Sequence, residues 1–140
     1  MSDDTASPTS WNLDITGSAH ANMEQDGDAL KVTTTTSDGT NWHVQIYQSG
    51  INTVQAQTYI LTFDAKADKP MTIPLSVINQ TTYQSAGLFV NIDLATAWQK
   101  ISYTFKASNP PGQLVRLPDL DLGAQTGTVW IKNATLVPAN

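Results

Sequence analysis

An all-β fold, a sandwich or jelly roll of two antiparallel sheets, is predicted by three observations on this 140-residue chain. Short runs of alternating or β-branched residues recur along it, separated by turn signals. No long helical periodicity interrupts them. The polar surface is neutral rather than charged: 19 Thr, 10 Ser, 9 Asn and 10 Gln stand beside a charged share of only 14%, where about 25% is usual. The hydrophobic share of 40%, with four Trp, supplies a core, and the length fits one domain.

Residues 1–10 are rich in Ser, Thr, Asp and Pro and are expected to form a linker or disordered amino terminus, followed by a single module over residues 11–138. Ala29 to Thr36 alternates cleanly after the turn Asp26-Gly27-Asp28. Trp42 to Gln48 predicts a strand with Trp42, Val44 and Ile46 on one face and His43, Gln45 and Tyr47 on the other. Gln57 to Ala67 is a long strand broken by Asp68-Lys69-Pro70. Met71 to Gln80 carries Pro74, which marks an edge or bulged strand. Leu88 to Leu94, Gln99 to Lys106, Gln113 to Leu122 and Thr128 to Val137 complete about eight strands, and Ala95 to Lys100 is the one short helical candidate. Trp11 and Trp98 are assigned to packing and Trp130 to core or rim: Trp98 opens a strand alternating through Ile101, Tyr103 and Phe105, and Trp130 sits between Val129 and Ile131.

Several function classes are excluded by composition. Seven basic against 12 acidic residues give a net charge of −5, and no Lys/Arg run supplies a nucleic-acid footprint. No apolar run reaches the roughly 18 residues of a membrane span. Cysteine is absent, which removes disulfides, thiolate catalysis and Cys-based zinc sites. The start Met1-Ser2-Asp3-Asp4-Thr5 is no signal peptide, so export is expected of a chain whose leader has been removed. Catalysis is disfavoured: Glu24 is the one Glu, and most of the eleven Asp fall in turns. Asp119 and Asp121 can share a strand face, about 7 Å apart. Side-by-side carboxylates on one strand do not flank a sugar as acid and base must. His20 and His43 belong to no catalytic or metal-binding spacing.

What remains is aromatic residues set among neutral amides. Trp42 lies in Thr40-Asn41-Trp42-His43-Val44-Gln45 and Tyr83 in Asn79-Gln80-Thr81-Thr82-Tyr83-Gln84. A sugar ring presents an apolar C–H face and an equator of hydroxyls, so its site needs a flat aromatic plate with hydrogen-bonding groups beside it. Trp42 and Tyr83 are the expected plates, with Gln45, Tyr47, Asn79 and Gln84 as polar partners.

The chain resembles carbohydrate-binding modules of family 4 and the related families 9 and 22. The carrying segments are Trp42-His43-Val44-Gln45-Ile46, Gln57 to Ala67, Trp98 to Phe105, and Leu122-Gly123 with Gly127 to Leu136. The resemblance implies a jelly roll that binds single β-glycan chains in a cleft on a concave sheet and has no catalysis of its own. β-1,4-Glucan is the first expectation, xylan or mixed-linkage glucan the next. It also implies a secreted monomer tethered to a glycanase, with Arg116 and Asp121 on the cleft floor. The family carries a structural-calcium Asp in its closing strand where this chain has Lys132 in Ile131-Lys132-Asn133-Ala134. Lys offers no acceptor lone pair, so no cofactor is expected and Lys132 is expected to stand in for the ion. Were calcium bound, Asp14, Glu24 and Asp28 would be its ligands. The competing expectation is a structural or protein-adhesive β-sandwich of a larger extracellular protein, with Trp42 and Tyr83 in an inter-domain contact.

Overall fold

Alternation is clearest in Thr58–Ala67, where Tyr59, Leu61, Phe63, Ala65 and Ala67 are buried and the residues between them are half-exposed. This is the pattern of a strand with one face on a core and one in water. The computed structural model describes residues 11–139; the expected linker at residues 1–10 lies outside them. These described residues form ten strands: β1 (Trp11–Ile15), β2 (His20–Asp26), β3 (Ala29–Thr36), β4 (Val44–Gln48), β5 (Thr58–Ala67), β6 (Met71–Asn79), β7 (Ser85–Leu94), β8 (Gln99–Lys106), β9 (Val115–Asp121) and β10 (Gly127–Pro138). They form two five-stranded antiparallel sheets, β1-β4-β9-β6-β7 and β2-β3-β10-β5-β8. The expected all-β sandwich is the observed fold.

The core lies between the sheets. Val44, Ile46, Leu75, Val77, Leu117 and Leu120 from the first sheet belong to one buried cluster with Val32, Leu61, Phe63, Ile131 and Leu136 from the second. Each fully buried side chain of this size contributes about 1.5–3 kcal/mol.

Five features depart from the sequence expectations. β1 and β2 were not foreseen, because β2 half-buries only Ala21 and Met23 in an otherwise exposed edge strand. The expected strand from Trp42 begins instead with a 3-10 turn, Asn41–His43, so Trp42 leaves the face of Val44 and Ile46. Ala95–Lys100 is no helix but a turn leading into β8. β6 is interior rather than an edge, although it is bulged against both neighbours. Its ladder to β9 runs only from Leu75 to Asn79, so Pro74 sits where a neighbour flanks it on one side alone. Trp98, expected in the core, is 37% exposed, and Trp130 lies half-buried on the outer face of β10 with its Nε1 donating to Asp26. Trp11 is buried, as expected.

Candidate functional site

Side chains that point away from the core on the first sheet line up across all five strands. Register pairs Asn12 with Tyr47, Tyr47 with Asp119, Asp119 with Ser76, and Ser76 with Phe89. A second row joins Asp14, Gln45 and Asp121. Simple alternation along β9 would put Arg116 on the opposite face from Asp119, three residues later. A bulge prevents this: Arg116 pairs with Ile78 and Asp119 with Ser76, so Leu117 and Pro118 together oppose Val77. Arg116, Asp119 and Asp121 therefore share one face and line an open groove of about 460 Å³ with Asp14, Gln45 and Trp42.

The groove has aromatic plates above a polar floor. Trp42 is 53% exposed, Tyr83 65% and Phe89 68%, and all three line it. Trp42 stands beside the end of β9, because the Gly123 amide donates to the Asn41 carbonyl. Tyr83 stands at the start of β9, near Arg116. The floor between them, Arg116 to Asp121, spans roughly 17 Å of extended strand.

Each plate is held by local chemistry. His43 packs edge-on against Trp42 at 4.3 Å, and its Nδ1 donates to Asp38 Oδ2 at 2.6 Å. Asp38 also accepts the Ser18 and Thr40 amides. The His43 hydrogen bond is the leading reason that the Asp38 carboxyl is held below its ordinary range. At the other end Asn79 Oδ1 accepts the Thr81 and Thr82 amides, and the Asn79 carbonyl accepts the Tyr83 amide. This turn carries Tyr83 at a positive φ of 61°.

The floor is a tight charge cluster. The Arg116 guanidinium lies 4.0 Å from the Tyr47 ring centre and 5.0 Å from that of Tyr83, with Asp14 at 3.7 Å. Its Nε is buried without a partner. The Tyr47 hydroxyl donates to Asp14 at 2.8 Å, and burial, then that bond, pushes the phenol up to about 12. Asp119 is 2% exposed and its Oδ2 has no hydrogen-bond partner. Burial, reinforced by the neighbouring Asp121 charge, raises the Asp119 carboxyl far above its ordinary range; burial also raises Asp121. Burial thus favours the neutral form of this neighbouring carboxyl pair.

Of the expected site residues, Trp42, Gln45, Tyr83, Arg116 and Asp121 come together in the groove. Three do not line it. Tyr47 is buried beneath Arg116 and serves Asp14. Asn79 is buried, builds the Tyr83 turn and donates to Gln113. Gln84 is exposed in the loop, where its carbonyl accepts the Asn79 amide. Phe89 and Asp14 were missed as groove residues, and Asp119, expected to be a solvated or ligand-binding carboxylate, lines the groove while buried. Phe89 was legible, since it shares the outward parity of Asn91 and Asp93 in β7.

The expected calcium ligands do not fit an ion. Asp14 lines the groove, whereas Glu24 lies on β2 of the other sheet and Asp28 in the turn after it. Among the described residues no three His, Cys, Asp or Glu gather as a metal site. Lys132 is not caged by oxygen atoms as expected: alternation turns it outward on β10, and its Nζ lies 4.3 Å from the Trp98 ring centre.

The model of a family described as a carbohydrate binding domain matches residues 5–117. No curated protein sequence matches this chain. Among the solved structures that share its fold are three carbohydrate-binding modules. A family 4 carbohydrate-binding module is 21% identical, covering 98% of this chain and 92% of its own, at a TM-score of 0.84. The N-terminal cellulose-binding domain of β-1,4-glucanase C from Cellulomonas fimi is 18% identical over 97% and 93%, at 0.71. A family 11 module from Clostridium thermocellum, in complex with a β-1,3-1,4-mixed-linked tetrasaccharide, is 15% identical over 98% and 94%, at 0.61.

Proposed function

The chain belongs to this carbohydrate-binding domain family, and on that premise we propose that its groove binds an internal stretch of a single β-linked glycan chain. β-1,4-Glucan is the favoured ligand, with xylan or mixed-linkage glucan next. The observation that carries this reading is the pairing of three exposed plates, Trp42, Tyr83 and Phe89, with the hydrogen-bonding floor of Gln45, Arg116, Asp119 and Asp121. The plates stack on C–H faces while the guanidinium and carboxyl groups meet hydroxyls two at a time. An open groove accepts a chain along its length, unlike an end-binding pocket. The site binds and does not cut, for Asp119 and Asp121 sit side by side on one strand. The module acts outside the cell and holds a tethered glycoside hydrolase on its substrate.

Native affinity electrophoresis against soluble β-glucans and xylans, followed by calorimetry, tests this. The expected result is retardation by β-1,4-glucan and a loss of at least tenfold, about 1.4 kcal/mol, for Trp42→Ala at an unchanged melting temperature. Retardation by none of the panel, or equal affinity in the variant, overturns the reading.

A further inference from the structure

The outer face of the second sheet, opposite the groove, gathers most of the positive charge of an acidic chain. Lys31 on β3, Lys66 on β5, Lys132 on β10, and Lys100 and Lys106 on β8 all point outward there. These are five of the seven cationic residues in a protein of net charge −5. They are far apart in sequence, which is why no basic run announces them.

Three of the lysines, Lys31, Lys66 and Lys132, are organised around two indoles. Trp130 sits between Lys31 and Lys66 in the cross-strand register, with their Nζ atoms 5.9 Å and 4.9 Å from its ring centre. Lys66 also lies 5.0 Å from the Trp98 ring, and Lys132 lies 4.3 Å from it. The strands of this face carry three acids, and Asp68 at the end of β5 accepts the Thr128 amide. Glu24 pairs with Lys31 in register, Asp26 accepts the Trp130 Nε1–H, and Asp64 accepts from Asn133 and pairs with Lys132 and Lys100. Five ammonium groups against three carboxylates on these strands leave the face positive, in contrast to the groove, where Asp14 and Asp121 outnumber Arg116.

We propose that this face is a second binding surface, for a polysaccharide that carries carboxylate groups. A uronate ring offers what the array lacks: an apolar face for an exposed indole edge and an anion for an ammonium. Cation–π contacts at exposed sites are weak, so a lysine exchanges its indole for a carboxylate at small cost. The same contacts hold the long lysine chains down on the sheet, which reduces the ordering required on binding. A neutral glycan offers the ammonium groups only hydroxyl acceptors, a poor exchange for the water it displaces, whereas a carboxylate adds charge to the bond. Nucleic acid, with its dense phosphates, is disfavoured by the net negative charge and by the absence of any Arg on this face. The two surfaces share no residue, so one molecule can hold a neutral and an acidic chain together.

The test is native affinity electrophoresis on polygalacturonate at low salt, with dextran sulfate and single-stranded DNA alongside. The wild type is expected to be retarded by polygalacturonate, more weakly at physiological salt as screening predicts. A Lys66→Gln/Lys132→Gln double variant should lose the retardation at least fivefold, and Trp98→Ala should weaken it too. Both should keep their β-glucan affinity, because neither touches the groove. Trp42→Ala should leave polygalacturonate retardation unchanged, so this surface stands or falls apart from the groove. If a lysine variant fails to fold, the salt dependence and Trp98→Ala still decide. No retardation at low salt overturns the proposal, as does retardation that disappears in Trp42→Ala. Equal retardation by dextran sulfate or DNA that survives in Trp98→Ala also overturns it, since that is attraction to any polyanion.

Discussion

Asp119 is a carboxyl whose neutral form the fold prefers, and this has a sign in pH. Its native pKa, like that of Asp121, lies above the ordinary 3.8. Once pH rises past that value the unfolded chain has released protons that the native state still holds, so stability falls as pH climbs until the native carboxyls also ionise. Asp119→Asn keeps the shape and a donor toward Asp121 but cannot ionise. Its melting temperature should therefore depend less on pH and exceed that of the wild type on the alkaline side; parallel curves would show that Asp119 ionises freely. Asp38 acts at one remove. It anchors His43, whose ring braces Trp42, and Gly17 leaves room for both: at its φ of +64° an added Cβ would lie 2.5 Å from Asp38 Oδ2 and His43 Nδ1. Asp38→Ala is expected to weaken glycan binding about threefold in the wild type and not at all in a Trp42→Ala background. Equal losses in both backgrounds would assign Asp38 to general stability. In the sequence His43 was only a neighbour of Trp42, because the contact with Asp38 depends on a turn that alternation did not foresee.

Among the elements, β9 and the Trp42 turn decide the site. Val115 and Leu117 begin an alternation that shows a strand, but Arg116 and Asp121 are five positions apart, an odd spacing that strict period two would split between faces. The bulge at Leu117-Pro118 reunites them. The turn before β4 is fixed from below by Gly123. An alanine Cβ there would come within 2.4 Å of the Thr40 carbonyl oxygen, 2.8 Å of the Asn41 carbonyl oxygen and 2.9 Å of the Val44 nitrogen. All three atoms are backbone of the turn that carries Trp42. Gly123→Ala should therefore lower stability by about 1–3 kcal/mol, as forced overpacking does, and reduce glycan affinity together with it. Calorimetry and thermal melts on one variant check both, and a stability loss with unaltered affinity would detach the turn from binding.

For the whole molecule, cohesion comes from one core clamped between two sheets. We propose that no calcium supports the fold, since Asp14, Glu24 and Asp28 lie apart and Lys132 faces an indole. The melting temperature should then be the same in EDTA and in excess calcium, whereas an ion bound only by the native state would raise it by mass action. Fold class, the main strand runs and the setting of Trp42 and Tyr83 as aromatics that line one groove were legible in the sequence. Alternation and amide-flanked aromatics are local patterns, set by the two-residue period of a strand and by what a sugar face requires. The tertiary structure alone decided that Asn79 builds a turn, that Tyr47 supports Arg116 from below, and that Asp119 is buried in the groove. It also decided that Trp98 stands outside the core under Lys66 and Lys132. These outcomes depend on bulges, turns and strand order, which bring together residues far apart in the chain, and no local period in the sequence records which distant strand becomes a neighbour.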